Sequence, residues 1–349
     1  EMSASLVGSE MCIRDRYKII KLKSSNCSAE SDRYVFMKAT IIGTGSYIPE
    51  YILTNQELST MVETDDEWIV TRTGISERRI QKSGDVADMA VNAALKALDN
   101  AGINSEDIDL IIAATSTPDY LFPNCSSIIQ KNTGAINAVC FDISAACSGF
   151  IMALSAAKAY IEAGMYKKVL IVCSEKMSGI TDWKDRSTCI LFGDGAGACV
   201  VESSEQEGVK SVDLHNEGML GEVLTAKRNE NIVMNGQEVF KFAVKKVPET
   251  INTLLKKENT DAEDIKYFIL HQANVRIIES VAKRLGIDMN RFPVNLSRYG
   301  NTSSASIPIL LDELNRENKL QNEDLLVFAG FGAGLNWGSI LVKWNCHKS

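Results

Sequence analysis

Three side chains of this sequence have the chemistry of a nucleophile and two polar partners: the thiol of Cys147, the imidazole of His271 and the carboxamide of Asn301. Cys147 stands in Asp142-Ile143-Ser144-Ala145-Ala146-Cys147-Ser148-Gly149-Phe150, where small residues crowd a tight elbow at the start of a predicted helix. Unpaired N–H groups and positive partial charge at a helix N-terminus lower a thiol pKa and expose a thiolate. Taken alone, the same cysteine reads equally as a small buried residue. His271 opens the polar run His271-Gln272-Ala273-Asn274 directly after an apolar strand, a position where catalytic groups are placed and where structural histidines also sit. Asn301, in Tyr299-Gly300-Asn301-Thr302-Ser303-Ser304, reads as an amide donor or as a plain N-cap. Gly330-Phe331-Gly332-Ala333-Gly334 follows a strand and can bring backbone N–H groups to a reacting oxygen, although a glycine turn needs no substrate. Cys140, Cys173 and Cys199 lie in apolar strand patterns and read as core; His215 in a turn and His347 in the tail are weaker candidates.

Apolar runs alternate with amphipathic stretches, which predicts an α/β fold, and the order of elements recurs. Asn92–Asn100 reads as a helix, followed by a stop at Gly102, a turn at Ser105–Asp107 and a strand at Ile108–Ala114. In the second half the same order is a helix at Ile251–Glu258, a turn at Ala262–Asp264 and a strand at Ile265–Leu270. A strand at Ala138–Ile143 leads through Cys147 to a helix at Gly149–Ala163; its counterpart is a strand at Arg291–Leu296 leading through Asn301 to a helix at Ala305–Arg316. Strands at Lys168–Cys173 and Asp324–Ala329 close each copy. This predicts two units of roughly 150 residues related by a pseudo-twofold. Cys147 and Asn301 are expected at equivalent places, meeting His271 where strands give way to loops.

The 349 residues suffice for a large core. A formal charge of −8 with 23% charged residues argues against a general nucleic-acid binder. No run reaches the length of a membrane span and no secretory pattern opens the chain, so a cytosolic location is expected. Nine cysteines without a Cys-x-x-Cys pair read as reduced thiols, and three scattered histidines argue against a metal site. Gly43 and Gly45 lack the third glycine of the dinucleotide fingerprint. Residues 1–36 carry no periodicity and read as a non-family extension, translated flanking sequence over Leu6–Arg16, ahead of Met37 and a buried strand. The expected organisation is therefore this extension, an N-terminal half over 37–205 with the cysteine, and a C-terminal half over 206–349 with His271 and Asn301.

Read in order, Asp66-Glu67-Trp68-Ile69 with Arg72-Thr73-Gly74-Ile75, Ala145-Ala146-Cys147-Ser148-Gly149-Phe150, Phe192-Gly193-Asp194-Gly195-Ala196-Gly197, His271-Gln272-Ala273-Asn274, Gly300-Asn301-Thr302-Ser303 and Gly332-Ala333-Gly334 form a set. From Met37 to Trp344 the sequence resembles the beta-ketoacyl-acyl carrier protein synthase III family of the thiolase superfamily. The resemblance implies a thiolase-like fold of two α/β halves layered α-β-α-β-α. It also implies condensation of an acyl-coenzyme A primer, acetyl-coenzyme A being expected, with malonyl-acyl carrier protein in a homodimer. Coenzyme A thioester is then a substrate, and no cofactor is implied. By the same resemblance Cys147 is the nucleophile and His271 and Asn301 support the enolate, while the backbone N–H groups of Cys147 and Gly334 hold an oxyanion. Trp68 stacks on adenine, Arg72 and Arg186 lie at the nucleotide and phosphate end, and Thr64, Gly236 and Asn274 line the pantetheine path. Phe122 and Phe192 lie near the acyl pocket, and Lys241, Gln272, Ala273, Asn274, Val275 and Arg276, with Lys245 and Lys246 nearby, face the acidic carrier. Ser148, Ala333 and Asn336 are the freest positions of the pattern and bear on acyl-chain preference.

Rival readings are a ketosynthase III-like acyltransferase of secondary metabolism, a papain-like protease with Cys, His and Asn, and a non-catalytic partner subunit. The doubled α/β order weighs against the protease, and the presence of Cys147 weighs against the inactive subunit. A chain beginning at Met37 is expected to fold and retain acyl transfer; insoluble or inactive protein after that truncation would place residues 1–36 in the fold.

Overall fold

The computed structural model describes residues 37–346; the readings on residues 1–36 and His347 lie outside the described residues. Two sheets dominate. The first contains β1 (Lys38–Tyr47), β2 (Leu110–Ala114), β3 (Val139–Ile143), β4 (Lys168–Lys176) and β5 (Asp194–Ser204), in the order β1-β5-β4-β2-β3. The second contains β6 (Val209–Asn216), β7 (Ile265–Leu270), β8 (Leu325–Gly332) and β9 (Asn336–Lys343), in the order β7-β8-β9-β6. Strands β2 and β4 pair in parallel, as β7 and β8 do, while β4 with β5 and β8 with β9 are antiparallel. Strands buried on both faces read as near-continuous apolar runs, which is why Leu110–Ala114 and Val169–Cys173 show no alternation.

The helices that matter are α1 (Asp66–Thr73), α2 (Val86–Ala101), α3 (Cys125–Thr133), α4 (Gly149–Glu162), α5 (Gly236–Glu258), α6 (Val275–Leu285) and α7 (Ser306–Arg316). Helices α4 and α7 pack between the sheets in one apolar cluster with residues of β2, β4, β8 and β9. Helices α2 and α3 cover the outer face of the first sheet, and α5 and α6 that of the second, giving the layers α-β-α-β-α. The helix-to-strand turns recur as expected, with short 3-10 turns at Ser105–Asp107 and Ala262–Asp264 before β2 and β7.

Two expectations from the repeat need correction. No strand forms at Arg291–Leu296, where Pro293 lacks a ladder donor. The Gln272 carboxamide takes the strand's place beside β7: its Nε2 donates to the carbonyls of Leu270 (2.8 Å) and Pro293 (3.5 Å), and its Oε1 accepts the Asn295 N–H at 3.1 Å. In addition, the counterpart of Cys147 is Ser304 rather than Asn301. The 3-10 turns Ala146–Ser148 and Ser303–Ala305 lead into α4 and α7 at the same spacing, and each begins on a positive-φ residue, Ala146 (46°) or Ser303 (51°).

A close backbone approach holds the second turn. Gly193 donates its N–H to the Asn301 carbonyl at 3.1 Å, and a Cβ on Gly193 would stand 2.2 Å from the Tyr299 carbonyl oxygen. Gly193→Ala is therefore expected to destabilise the protein by about 1–3 kcal/mol through overpacking. The check is a urea midpoint that falls at unchanged slope; a midpoint equal to the parent's would show that the backbone yields freely there.

Candidate active site

The site forms where the C-terminal ends of β3, β4, β7 and β8 meet the buried turn 301–306. Cys147 is 9% exposed, and strand β8 lies directly against it: a Cβ on Gly332 would come within 2.8 Å of the Cys147 backbone nitrogen. The Cys147 thiol donates to Ser303 Oγ at 3.5 Å, and Ser303 Oγ donates to Glu175 Oε1 at 3.2 Å. A helix N-terminus led us to expect a lowered thiol pKa, and the resting chain shows the reverse. Burial pushes the Cys147 thiol up to about 12 and the nearby Glu175 carboxylate adds to the rise, while the hydrogen bond with Ser303 and the cysteine's own N–H pull the other way.

His271 is 2% exposed, its ring edge-on to Phe331 at 5.4 Å between centroids. Ser306 Oγ accepts the Gln272 N–H at 3.3 Å and shares a second hydrogen bond with His271 Nδ1, 2.7 Å away, in which the ring tautomer sets the donor. With the serine as donor the ring proton sits on Nε2, which is buried without a protein partner. Desolvation drops the imidazole pKa to about 3, so the ring is a neutral N–H donor. Asn301 is oriented by the same logic. Its Oδ1 accepts the Ser303 N–H at 2.8 Å, leaving the Nδ2 amide as the available donor, and its backbone pairs with Phe192 through a bridge between the two segments. Segment 301–306 thus ties Cys147, Asn301 and His271 together.

The remaining sequence-derived positions fall in different places. Gly334 lies in the turn between β8 and β9 at φ 139°, against Asn336, Asn216 and Gly221. Trp68 on α1 is flanked by two guanidinium groups, with Arg72 Cζ at 4.4 Å and Arg186 Cζ at 4.7 Å from its ring centroid. Thr64 lies just before that helix with its hydroxyl buried and unpartnered, and Arg186 reaches the Glu63 carbonyl at 2.8 Å. Asn274 caps α6 through the Arg276 N–H and donates to the Arg72 carbonyl at 3.0 Å, so it links the first half to the second. Gly236 is exposed at the start of α5; Lys241 on the same helix is exposed and pairs with Glu238 at 2.8 Å. Arg276 is exposed and Ala273 and Val275 are half-buried.

Two positions depart from expectation. Gln272, placed with the carrier-facing residues, is 1% exposed and spends both ends of its amide on the backbone described above. Phe122 stands 84% exposed, whereas Phe192 is 3% exposed beside Met177 and Ile232. Ser148, Ala333 and Asn336 prove to be linked: Ser148 Oγ reaches the Asn336 carbonyl at 3.4 Å and Asn336 Nδ2 the Ala333 carbonyl at 2.7 Å. Sequence reasoning missed Ser303 and Glu175. Neither carried a local signal, since a glutamate that ends the apolar run of a strand, as Glu175 ends that of β4, ordinarily faces water.

A doubled, five-layered α/β fold with a cysteine at the mouth of a central helix defines a condensing enzyme of the thiolase class. Family profiles for 3-oxoacyl-[acyl-carrier-protein (ACP)] synthase III match residues 141–218, and those for its C-terminal part match residues 255–344. Beta-ketoacyl-[acyl-carrier-protein] synthase III of Clostridium botulinum (strain Okra / Type B1) is 47% identical over 321 residues, covering 88% of this chain and 98% of the relative. The crystal structure of 3-oxoacyl-[acyl-carrier-protein] synthase III from Aquifex aeolicus VF5 superposes with a TM-score of 0.86 at 46% identity, covering 88% of this chain and all of the other. The priming beta-ketosynthase from the R1128 polyketide biosynthetic pathway gives a TM-score of 0.86 at 35% identity, covering 90% of this chain and 99% of the other. The chain belongs to the beta-ketoacyl-ACP synthase III family, the acyltransferases that perform the initiating condensation of fatty acid synthesis. Among the described residues no helix is long and apolar enough to cross a membrane, and no group of three or more His, Cys, Asp or Glu side chains could hold a metal ion.

The histidine chemistry is directly checkable. Ring nitrogen shifts of His271 are expected to report the Nε2–H tautomer unchanged from pH 5 to 8, because a folded pKa of about 3 keeps the ring neutral throughout. Titration within that range would show that the ring is solvated or charge-paired.

Proposed function

We propose that Cys147 accepts the acyl group of an acyl-coenzyme A and that His271 and Asn301 support the second half-reaction. The Cys147 sulfur attacks the thioester carbonyl, coenzyme A leaves as its thiol, and an acyl-enzyme remains. Malonyl-acyl carrier protein then loses carbon dioxide, and the resulting enolate attacks the acyl carbonyl to give 3-oxoacyl-acyl carrier protein and the free thiol. Division into two transfers is covalent catalysis and implies ping-pong kinetics. The observation that carries the reading is the pair of N–H donors, His271 Nε2 and Asn301 Nδ2, each fixed in orientation by a serine of one buried turn and each left without a partner for its hydrogen. Donors of that kind stabilise a developing enolate oxygen by about 3–4 kcal/mol each. In the same reading the N–H groups of Cys147 and Gly334 serve the oxyanion of acyl transfer.

The roles above are all filled by groups of this chain, so the reading calls on no resident cofactor. Trp68, Arg72 and Arg186 form the proposed nucleotide end, with Thr64, Gly236 and Asn274 along the pantetheine path, and the exposed Lys241 and Arg276 greet the carrier. A homodimer is supported by exposed Leu121, Phe122, Ile136 and Val139 at and beside the edge strand β3, an unpaired edge that soluble proteins normally cover. A cytosolic location and an acetyl primer belong to the same proposal.

Intact-protein mass after incubation with a panel of acyl-coenzyme A thioesters tests it, since the added mass names both the reaction and the primer. Cys147→Ala is expected to take up no acyl group. Asn301→Ala is expected to acylate but to lose about 100-fold or more in malonyl decarboxylation and condensation. Condensation by Asn301→Ala at the parent rate, or a covalent adduct on Cys147→Ala, would overturn these roles.

A further inference from the structure

A thiol pushed up to about 12 needs somewhere to send its proton before it can attack, and the site's histidine is a poor acceptor. His271 has its Nδ1 engaged by Ser306, a pKa of about 3, and no hydrogen bond to Cys147. The group that does lie behind the thiol is Glu175, fully buried at the C-terminal end of β4. Five protein donors converge on its carboxylate. Ser304 Oγ (2.7 Å) and Ser303 Oγ (3.2 Å) reach Oε1, while Thr117 Oγ1 (2.9 Å), Ser116 N (3.0 Å) and Thr115 Oγ1 (3.4 Å) reach Oε2.

No cation pairs with Glu175 among the described residues; its neighbour Lys176 extends away to the Gly84 carbonyl at 2.9 Å. The other titratable groups that feel its charge are thiols: Cys147 on the turn before α4, Cys125 on α3 and Cys173 on β4 itself. Burial raises the carboxyl's pKa and the four strongest hydrogen bonds oppose the rise. A buried carboxylate with no countercharge is costly to keep for structure alone.

We propose that Glu175 accepts the proton of the Cys147 thiol, acting through the Ser303 hydroxyl as a positioning residue for acyl transfer. This deepens the reading of Cys147 as the nucleophile and rests on it. The S–H bond of Cys147 breaks as its proton passes to Ser303 Oγ, and the Ser303 proton passes to Glu175 Oε1. The products are a thiolate and a neutral carboxylic acid. One negative charge is moved within the buried cluster and none is created, so the thiolate forms beside a neutral carboxylic acid and not beside a second anion. After the thiolate has attacked, the held proton neutralises the departing coenzyme A thiolate, so the half-reaction releases coenzyme A as a thiol and restores the carboxylate.

The test is the rate of Cys147 acylation by acetyl-coenzyme A, followed by intact mass from pH 6 to 8.5, in the parent and in Glu175→Gln, Ser303→Ala and Cys147→Ala. An internal transfer makes the parent rate nearly flat with pH. Without the relay the proton must leave to solvent, so both relay variants are expected to acylate at least about tenfold more slowly near pH 6.5. Their rates should then climb about tenfold per pH unit. A Glu175→Gln chain that acylates as fast as the parent overturns the proposal. One that acylates faster does so too, since the carboxylate would then only repel the thiolate. Uniform slowing at every pH also overturns it, because that is a structural defect. If Glu175→Gln yields no folded protein, Ser303→Ala decides by the same criteria, because it leaves four donors on the carboxylate. An adduct on Cys147→Ala would show instead that the nucleophile itself is misassigned.

Discussion

The turn from Asn301 to Ser306 is buried along its whole length, and its polar groups must therefore find partners inside the protein. Every partner it finds is a piece of the site or of the sheets that hold the site. Its backbone bonds to Leu191 and Gly193, Ser304 bonds to the Ala114 carbonyl at the end of β2, and Ser303 and Ser304 bond to Glu175 on β4. Ser306 then fixes His271 at the end of β7. Satisfying the turn locks both sheets to one point between α4 and α7. The donors at that point are rigid because moving them would strand several buried polar groups at about 1–3 kcal/mol each.

Burial also decides the protonation states, and it does so against the helix termini. A helix N-terminus contributes about 0.3–1 kcal/mol toward an anion in ordinary exposure. Raising the thiol from 9.0 to about 12 corresponds to about 4 kcal/mol in the other direction. Desolvation wins by that comparison, and the same effect leaves His271 neutral. A site built this way suits reactions in which a charge is passed between neighbours or met by N–H donors, because free ions are disfavoured at each position.

The proposed coenzyme end is organised on a different principle. Trp68, Arg72 and Arg186 are gathered at the surface by ring contacts, and Asn274 ties the cluster to the second half through an exposed hydrogen bond to the Arg72 carbonyl. Exposed cation–π contacts of this type are worth about 0.5–1 kcal/mol. The cluster can therefore rearrange around an anionic nucleotide with little loss, while the buried turn behind Cys147 stays fixed.

The fold class, the doubled order of elements and the meeting of Cys147, His271 and Asn301 at one place were legible in the sequence. Apolar runs and turn residues are local signals, and the motif order is written along the chain. The correspondence of Cys147 with Ser304 was hidden, because two turns can be aligned only once the helices that follow them are in register. The missing edge strand at 291–296 was half legible: Pro293 lacks a ladder donor, but the Gln272 side chain that takes the strand's place beside β7 shows only in the fold. Glu175 was silent because an acidic residue at a strand end usually faces water. Only the packing of β4 against the 301–306 turn removes that water and sets a carboxylate behind the thiol. Local chemistry, then, is carried by residue type and order, whereas protonation and partnership follow from which groups the two sheets shut away together.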